Sequence, residues 1–168
     1  MNMPKVVSNS SPIIHLNKMG YIHLLEDIYK KVHITDCVYE ECTGGSFESE
    51  EILKEIEDIK KASFLEVNSI KNEHLFLAFK EFVDEGEASA IVLAIEKEAE
   101  LLLLDDRDSR NLADVYNLEY TGTIGVLLKS RELGLIDRNV PDILEHLKST
   151  GFYLNEKVEQ YILKKLRY

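Results

Sequence analysis

The stretch Leu101-Leu102-Leu103-Leu104-Asp105-Asp106-Arg107 decides how this chain reads. Four aliphatic residues in succession, with no polar alternation, mark a strand covered on both faces. Such strands belong to parallel sheets, whose crossover connections lay helices above and below. The run stops abruptly at two carboxylates. In open α/β sheets ligands gather beyond the carboxyl ends of the strands, so Asp105 and Asp106 stand where chemistry is expected.

Upstream, Glu85-Gly86-Glu87 opens a helix whose apolar face holds Ala88, Ile91, Val92, Ile95 and Ala99. Before it, Glu73–Val83 reads as a helix with Leu75, Phe76, Phe79, Phe82 and Val83 at core positions. Downstream, Arg107–Tyr116 reads as a helix and Leu118–Tyr120 as a strand that ends at Thr121-Gly122-Thr123. Helices are expected over Ile124–Leu133, Val140–Ser149 and Asn155–Leu166.

Near the start, Lys5–Val7 reads as a strand. Ser10 or Ser11 would cap the helix that carries Ile13, Ile14, Leu16 and Met19 and ends at Gly20, with Pro12 suited to its first turn. Tyr21–Tyr29 gives a second helix and Val32–Ile34 a strand. Thr35 or Asp36 then caps a helix with Val38, Tyr39 and Glu41, which Thr43-Gly44-Gly45-Ser46 breaks before Phe47–Lys61 resumes. Phe64–Val67 supplies another short strand. Strand and helix alternate throughout, which predicts one α/β domain over residues 1–168 with a central parallel sheet.

A chain of 168 residues can bury a core without staples. No apolar run approaches the roughly 18 residues of a membrane span, and the start lacks signal-peptide anatomy; no membrane association and a cytoplasmic location are expected. Two cysteines, Cys37 and Cys42, imply no disulfide framework. The net charge of −11, from 31 acidic and 20 basic residues, argues against gripping nucleic acid over a broad basic face. It leaves room for a nuclease, because bound divalent ions invert the local field.

Asn9 closes the first strand, Glu41 follows the second, Glu87 begins the helix leading to the aliphatic strand, and Asp105 and Asp106 end that strand. Converging carboxylates repel one another, and a hard divalent cation with oxygen ligands relieves that cost. Without His or Cys ligands the pattern favours Mg²⁺ or Mn²⁺ over Zn²⁺, and phosphodiester hydrolysis by a metal-activated water. Each residue also has a plainer reading. Glu87 suits the helix dipole, Asp105 and Asp106 suit caps, and Glu41 suits a solvated helix face.

Val6-Val7-Ser8-Asn9-Ser10-Ser11-Pro12-Ile13-Ile14-His15-Leu16 resembles the opening of PIN-domain proteins, in particular a bacterial and archaeal branch often found as the toxin of toxin–antitoxin pairs. Val38-Tyr39-Glu40-Glu41, Gly86-Glu87-Ala88, Leu103-Leu104-Asp105-Asp106-Arg107, Thr121-Gly122-Thr123-Ile124-Gly125-Val126-Leu127 and Arg131-Glu132-Leu133-Gly134-Leu135-Ile136 resemble that branch in the same order. The resemblance implies a three-layer α/β/α fold, an acidic pocket for Mg²⁺ or Mn²⁺, single-stranded RNA as substrate, a homodimer, and an antitoxin partner. By position it implies Asn9, Glu41, Glu87 and Asp106 as metal ligands and catalytic carboxylates, with Asp105 the rival of Asp106. Asp108 is an accessory, and Ser10 or Ser11 a supporting hydroxyl. Asn9 departs from the family's usual aspartate: an amide oxygen can ligate a hard cation but brings no charge.

Two other readings compete. One is a degenerate PIN module that binds RNA or a protein without cutting. The other is a phospho-acceptor receiver domain, which wants an acidic pair near the first strand, whereas here that strand ends in Asn9. The cysteines and the scattered histidines read as packing residues, Phe76–Phe82 as core rather than a base-stacking platform, and Lys164-Lys165-Leu166-Arg167 as a solvated helix end.

Overall fold

A computed structural model describes residues 3–45 and 49–166. Ser46, Phe47 and Arg167, at the ends of the expected break, helix and basic tail, lie outside the described residues. The described chain contains β1 (Val6–Ser8), α1 (Ser10–Lys18), α2 (His23–Tyr29), β2 (Val32–Thr35), α3 (Asp36–Thr43) and α4 (Glu50–Lys61). It continues through β3 (Leu65–Asn68), α5 (Glu73–Phe79), α6 (Glu85–Glu96), β4 (Leu101–Leu103), α7 (Arg107–Val115) and β5 (Tyr120–Thr121). Three helices close it, α8 (Thr123–Glu132), α9 (Val140–Ser149) and α10 (Glu156–Lys165).

The strands form one sheet in the order β3-β2-β1-β4-β5, and every pairing is parallel. Helices cover both faces, giving the expected three-layer α/β/α arrangement. Starting from β1, the chain builds outward to β2 and β3, then returns to lay β4 on the other side of β1. The reversal of direction therefore falls between β1 and β4, in register Val6↔Leu101 and Ser8↔Leu103. A crevice opens at such a switch point, outside the carboxyl ends of the two strands. Asn9 follows the end of β1 directly, and the Asp105–Asp106 pair follows the end of β4 after Leu104.

The core anchors the strands on either side of the crevice. Val6, Val7, Leu102, Leu103 and Leu104 are fully buried. Helix α6 is apolar nearly all round, with Ala88 through Ala94 buried, the signature of a helix inside a layer rather than on its surface. A smaller cluster of Val140, Leu144 and Ile162 joins α9 to α10. Among the described residues no helix is long and apolar enough to cross a membrane.

Several boundaries differ from expectation. Helix α5 stops at Phe79 rather than Val83, and β5 holds only Tyr120 and Thr121 instead of beginning at Leu118. In the first case the chain turns early to present Asp84 as the cap of α6. In the second, Asn117 adopts a positive φ of 55°, a turn conformation that delays the strand.

Candidate metal centre at the switch point

Asn9 is the N-cap of α1, and its backbone N–H donates to the Leu103 carbonyl at 3.0 Å. This bond ties the start of α1 to the end of β4. Asn9 is only 3% exposed, and its Oδ1 has no hydrogen-bond partner among the described residues. Leaving a buried oxygen unpaired costs about 1–3 kcal/mol, so this atom is poised to accept a donor or a cation.

Ser10 and Ser11, expected as caps, lie instead in the first turn of α1, and their hydroxyls face carboxylates. Ser10 Oγ donates to Glu41 Oε2 at 2.6 Å, and Ser11 Oγ donates to Asp105 Oδ2 at 2.8 Å. A charged acceptor makes the stronger bond, so the hydroxyls serve neighbouring elements rather than their own helix.

Glu41 rides on α3, which Thr35 caps by accepting from Val38 N–H at 3.0 Å. The residue as a whole is exposed, but its carboxyl end folds against Ser10 and Gly86. A Cβ added at Gly86 would overlap that carboxylate, so glycine at this position is what lets the Glu41 side chain lie against the α6 backbone. Partial burial pushes the Glu41 carboxyl above its ordinary range. The Ser10 hydroxyl opposes this, the Asp84 and Glu85 carboxylates add to it, and the Gly86 N–H opposes it.

Glu87 sits in the first turn of α6, in a reciprocal cap with Asp84. Asp84 Oδ1 accepts from Glu87 N–H at 2.8 Å, and Glu87 Oε2 accepts from Asp84 N–H at 3.2 Å. Burial again raises the Glu87 carboxyl, with the Asp84 N–H and Ser109 hydroxyl opposing and the Asp84 and Asp106 charges reinforcing. The Ser109 Oγ is near enough to favour the ionised form, yet it is buried and makes no hydrogen bond of normal geometry among the described residues.

Asp106 caps α7 by accepting from Ser109 N–H at 2.9 Å. Glu87, Asp106, Asp108 and Asp84 line one depression of about 420 Å³, with Lys80 on its wall. Lys80 is committed to Glu85 at 2.7 Å.

Asp105 behaves differently. Its Oδ1 accepts from Thr123 N–H at 2.7 Å, and its Oδ2 accepts from Thr123 Oγ1 at 2.6 Å as well as from Ser11. Gly122 leaves room for this approach: a Cβ there would overlap Asp105 Oδ1 and the Arg110 guanidinium. Asp105 thus joins β4, α1 and α8, and both its oxygens are taken by protein donors. Asp106 is the member of the pair that borders the depression.

The expected residues therefore gather in parts. Glu87, Asp106 and Asp108 share the depression, and Glu41 with Ser10 stands beside it. Asp84 links the two groups, since its charge acts on both Glu41 and Glu87. Asp105 and Ser11 form a separate knot. Among the described residues no three His, Cys, Asp or Glu side chains stand close enough to hold a metal ion by themselves. Asp84 and Ser109 were not among the expected site residues. Asp84 was legible, because Asp84-x-x-Glu87 is a capping pattern before an apolar run.

The donor set nevertheless suits a hard divalent cation. It is all oxygen, burial raises the Glu41 and Glu87 carboxyls and so disfavours their charged forms where no cation faces them, and the buried Oδ1 of Asn9 lacks a partner among the described residues. Mg²⁺ in particular takes few protein ligands and keeps several waters, so a tight protein cage is not required.

The family model described as a PIN domain matches residues 5–167. The chain belongs to the PIN-domain family, whose members are generally nucleases. Among curated proteins none matches the chain. The family match leaves the phospho-acceptor alternative without support.

Proposed function

We propose that this chain is a single PIN-type unit that hydrolyses phosphodiester bonds of single-stranded RNA with Mg²⁺ or Mn²⁺. The observation that carries this reading is the succession of Glu41, Asp84, Glu87 and Asp106 around the first turns of α6 and α7, together with the unpaired buried Oδ1 of Asn9 at the end of β1. Glu41, Glu87 and Asp106 would hold the ion, with Asn9 as a neutral ligand. A bound cation supplies charge for the phosphoryl oxygens and lowers the pKa of a water. Ser10 holds the Glu41 carboxylate in place, and the Asp84 cap fixes the first turn of α6 from which Glu87 projects. Asp105 acts as a positioning residue that fixes the end of β4.

As the toxin of a toxin–antitoxin pair, the protein would be cytoplasmic, homodimeric, and held inactive by an antitoxin presenting basic residues to this acidic surface. Size-exclusion with light scattering tests the dimer: only monomer at micromolar concentration counts against it.

The test of the activity is cleavage of single-stranded RNA with Mn²⁺ by the wild type, Glu41→Gln, Glu87→Gln and Asp106→Asn. Loss in all three variants supports the assignment, and cleavage that persists in them shows a contaminant or another site. A second reading, binding without cutting, draws on the neutral amide of Asn9. RNA binding with no cleavage in any metal would establish it.

A further inference from the structure

The depression that holds Glu87 and Asp106 does not end at its acidic wall. Phe82 and Asp108 also line an adjoining groove of about 550 Å³, together with Phe79, Asn111, Leu112 and Tyr116. The periodicity of residues 73–83 places Phe82 in the core; the structure corrects this. Because α5 stops at Phe79, Phe82 falls in the turn before Asp84 and is 71% exposed, while Phe79 is 3% exposed. Tyr116 on the far side is 41% exposed and is held by an edge contact with Phe79, ring centroids 5.2 Å apart. Large exposed rings grouped beside a polar cavity are uncommon on a protein that does not use them.

Among the described residues no basic side chain lines this groove, and Asp108 forms part of its wall, so it is built for something flat and apolar rather than for phosphate. Asn111 offers an amide on the wall, with both a donor and an acceptor. We propose that the groove between Phe82 and Tyr116 seats an unpaired nucleobase of the strand whose phosphate lies at the acidic depression. The inference rests on the nuclease reading, and the two cavities adjoin, with Phe82 and Asp108 in the walls of both. A duplex keeps its bases stacked and paired, so the groove selects single strands.

The test measures binding of a short fluorescent single-stranded RNA in Mn²⁺, under conditions in which the strand stays intact. The partners are the wild type, Phe82→Ala and Phe82→Trp, and a strand carrying abasic sites is run beside the parent. Phe82→Ala should weaken binding about tenfold and Phe82→Trp should retain it. The abasic strand should bind the wild type with the same loss and show no further loss with Phe82→Ala. The exposed position of Phe82 makes a folding defect easy to recognise by circular dichroism. Equal affinity of wild type and Phe82→Ala, with Mn²⁺-dependent cleavage intact, overturns the base site and leaves the nuclease standing. A switch from dimer to monomer on Phe82→Ala with unchanged RNA affinity also overturns it, by showing that a second copy covers the groove. Failure of the wild type to bind RNA at all removes both readings.

Discussion

The Glu41 carboxylate lies against the backbone of Gly86, where no side chain of any size fits beside it. The contact joins α3 to the first turn of α6 and brings Glu41 within the field of Asp84. Glycine inside a first helical turn costs up to about 1 kcal/mol relative to alanine, and here that cost secures the placement of one carboxylate.

Gly86→Ala should therefore separate stability from activity. The added methyl meets the flexible end of Glu41 rather than backbone, so the side chain swings aside and the fold survives. Urea denaturation should place the variant within about 1 kcal/mol of wild type, while Mn²⁺-dependent cleavage falls by about a hundredfold, the loss expected when a catalytic group is displaced. Full activity in Gly86→Ala would show that the position of Glu41 is irrelevant.

The adjacent aspartates should fail in opposite ways. Removing Asp105 strands the Thr123 amide and two hydroxyls, so Asp105→Ala should lose about 2–4 kcal/mol in chemical denaturation. Asp106→Asn keeps a good capping side chain and should change stability by less than about 1 kcal/mol, yet should abolish cleavage. Were Asp105→Ala stable and inactive, and Asp106→Asn stable and active, the roles of the pair would be reversed.

Stability without metal should fall as pH rises. Burial holds the Glu41 and Glu87 carboxyls above the ordinary value of 4.5, so between that value and their folded values the native state binds more protons than the unfolded chain. Their effect on stability is most favourable below the ordinary value and is lost as pH climbs through the folded values. Urea melts of wild type and of a Glu41→Gln/Glu87→Gln double variant, from about pH 4 to pH 8, should diverge with the wild type losing ground. Parallel curves would mean that these carboxyls carry no such penalty. Added Mn²⁺ should restore the wild type alone.

Asn9→Asp places a charge at the one unpaired side-chain oxygen of α1's cap. Calorimetry should show Mn²⁺ affinity rising about tenfold, because ligand charge count tunes binding to hard cations. The metal-free variant should melt below wild type, since a buried charge without a partner is destabilising. Unchanged affinity with lower stability would place Asn9 outside the ion's reach.

The aliphatic run at Leu101–Leu104, a cap at Thr35 or Asp36, of which Thr35 is the one observed, and the parallel topology were readable, because each rests on local chemistry. Glu87 and Asp106 were legible as a helix-start and a strand-end carboxylate and Glu41 as a carboxylate on the helix after β2, whereas the division of labour between Asp105 and Asp106 was not. Both follow a buried strand; only the spatial arrival of Thr123 and Ser11 decides which is consumed by donors. Phe82 was misplaced for a related reason. Periodicity continues past Phe79, but the Asp84 cap competes for the same residues and ends the helix early.

Because β1 pairs on one side with a strand that is not made until Leu101, the crevice has no second wall while the first half of the chain is being synthesised. Asp106 with its partner Ser109, and the Thr123 latch of Asp105, arrive later still. On the proposed reading, a protein that cuts RNA is unarmed while β1, β2 and β3 are being made, and competence to cleave waits for β4 and the residues that follow it.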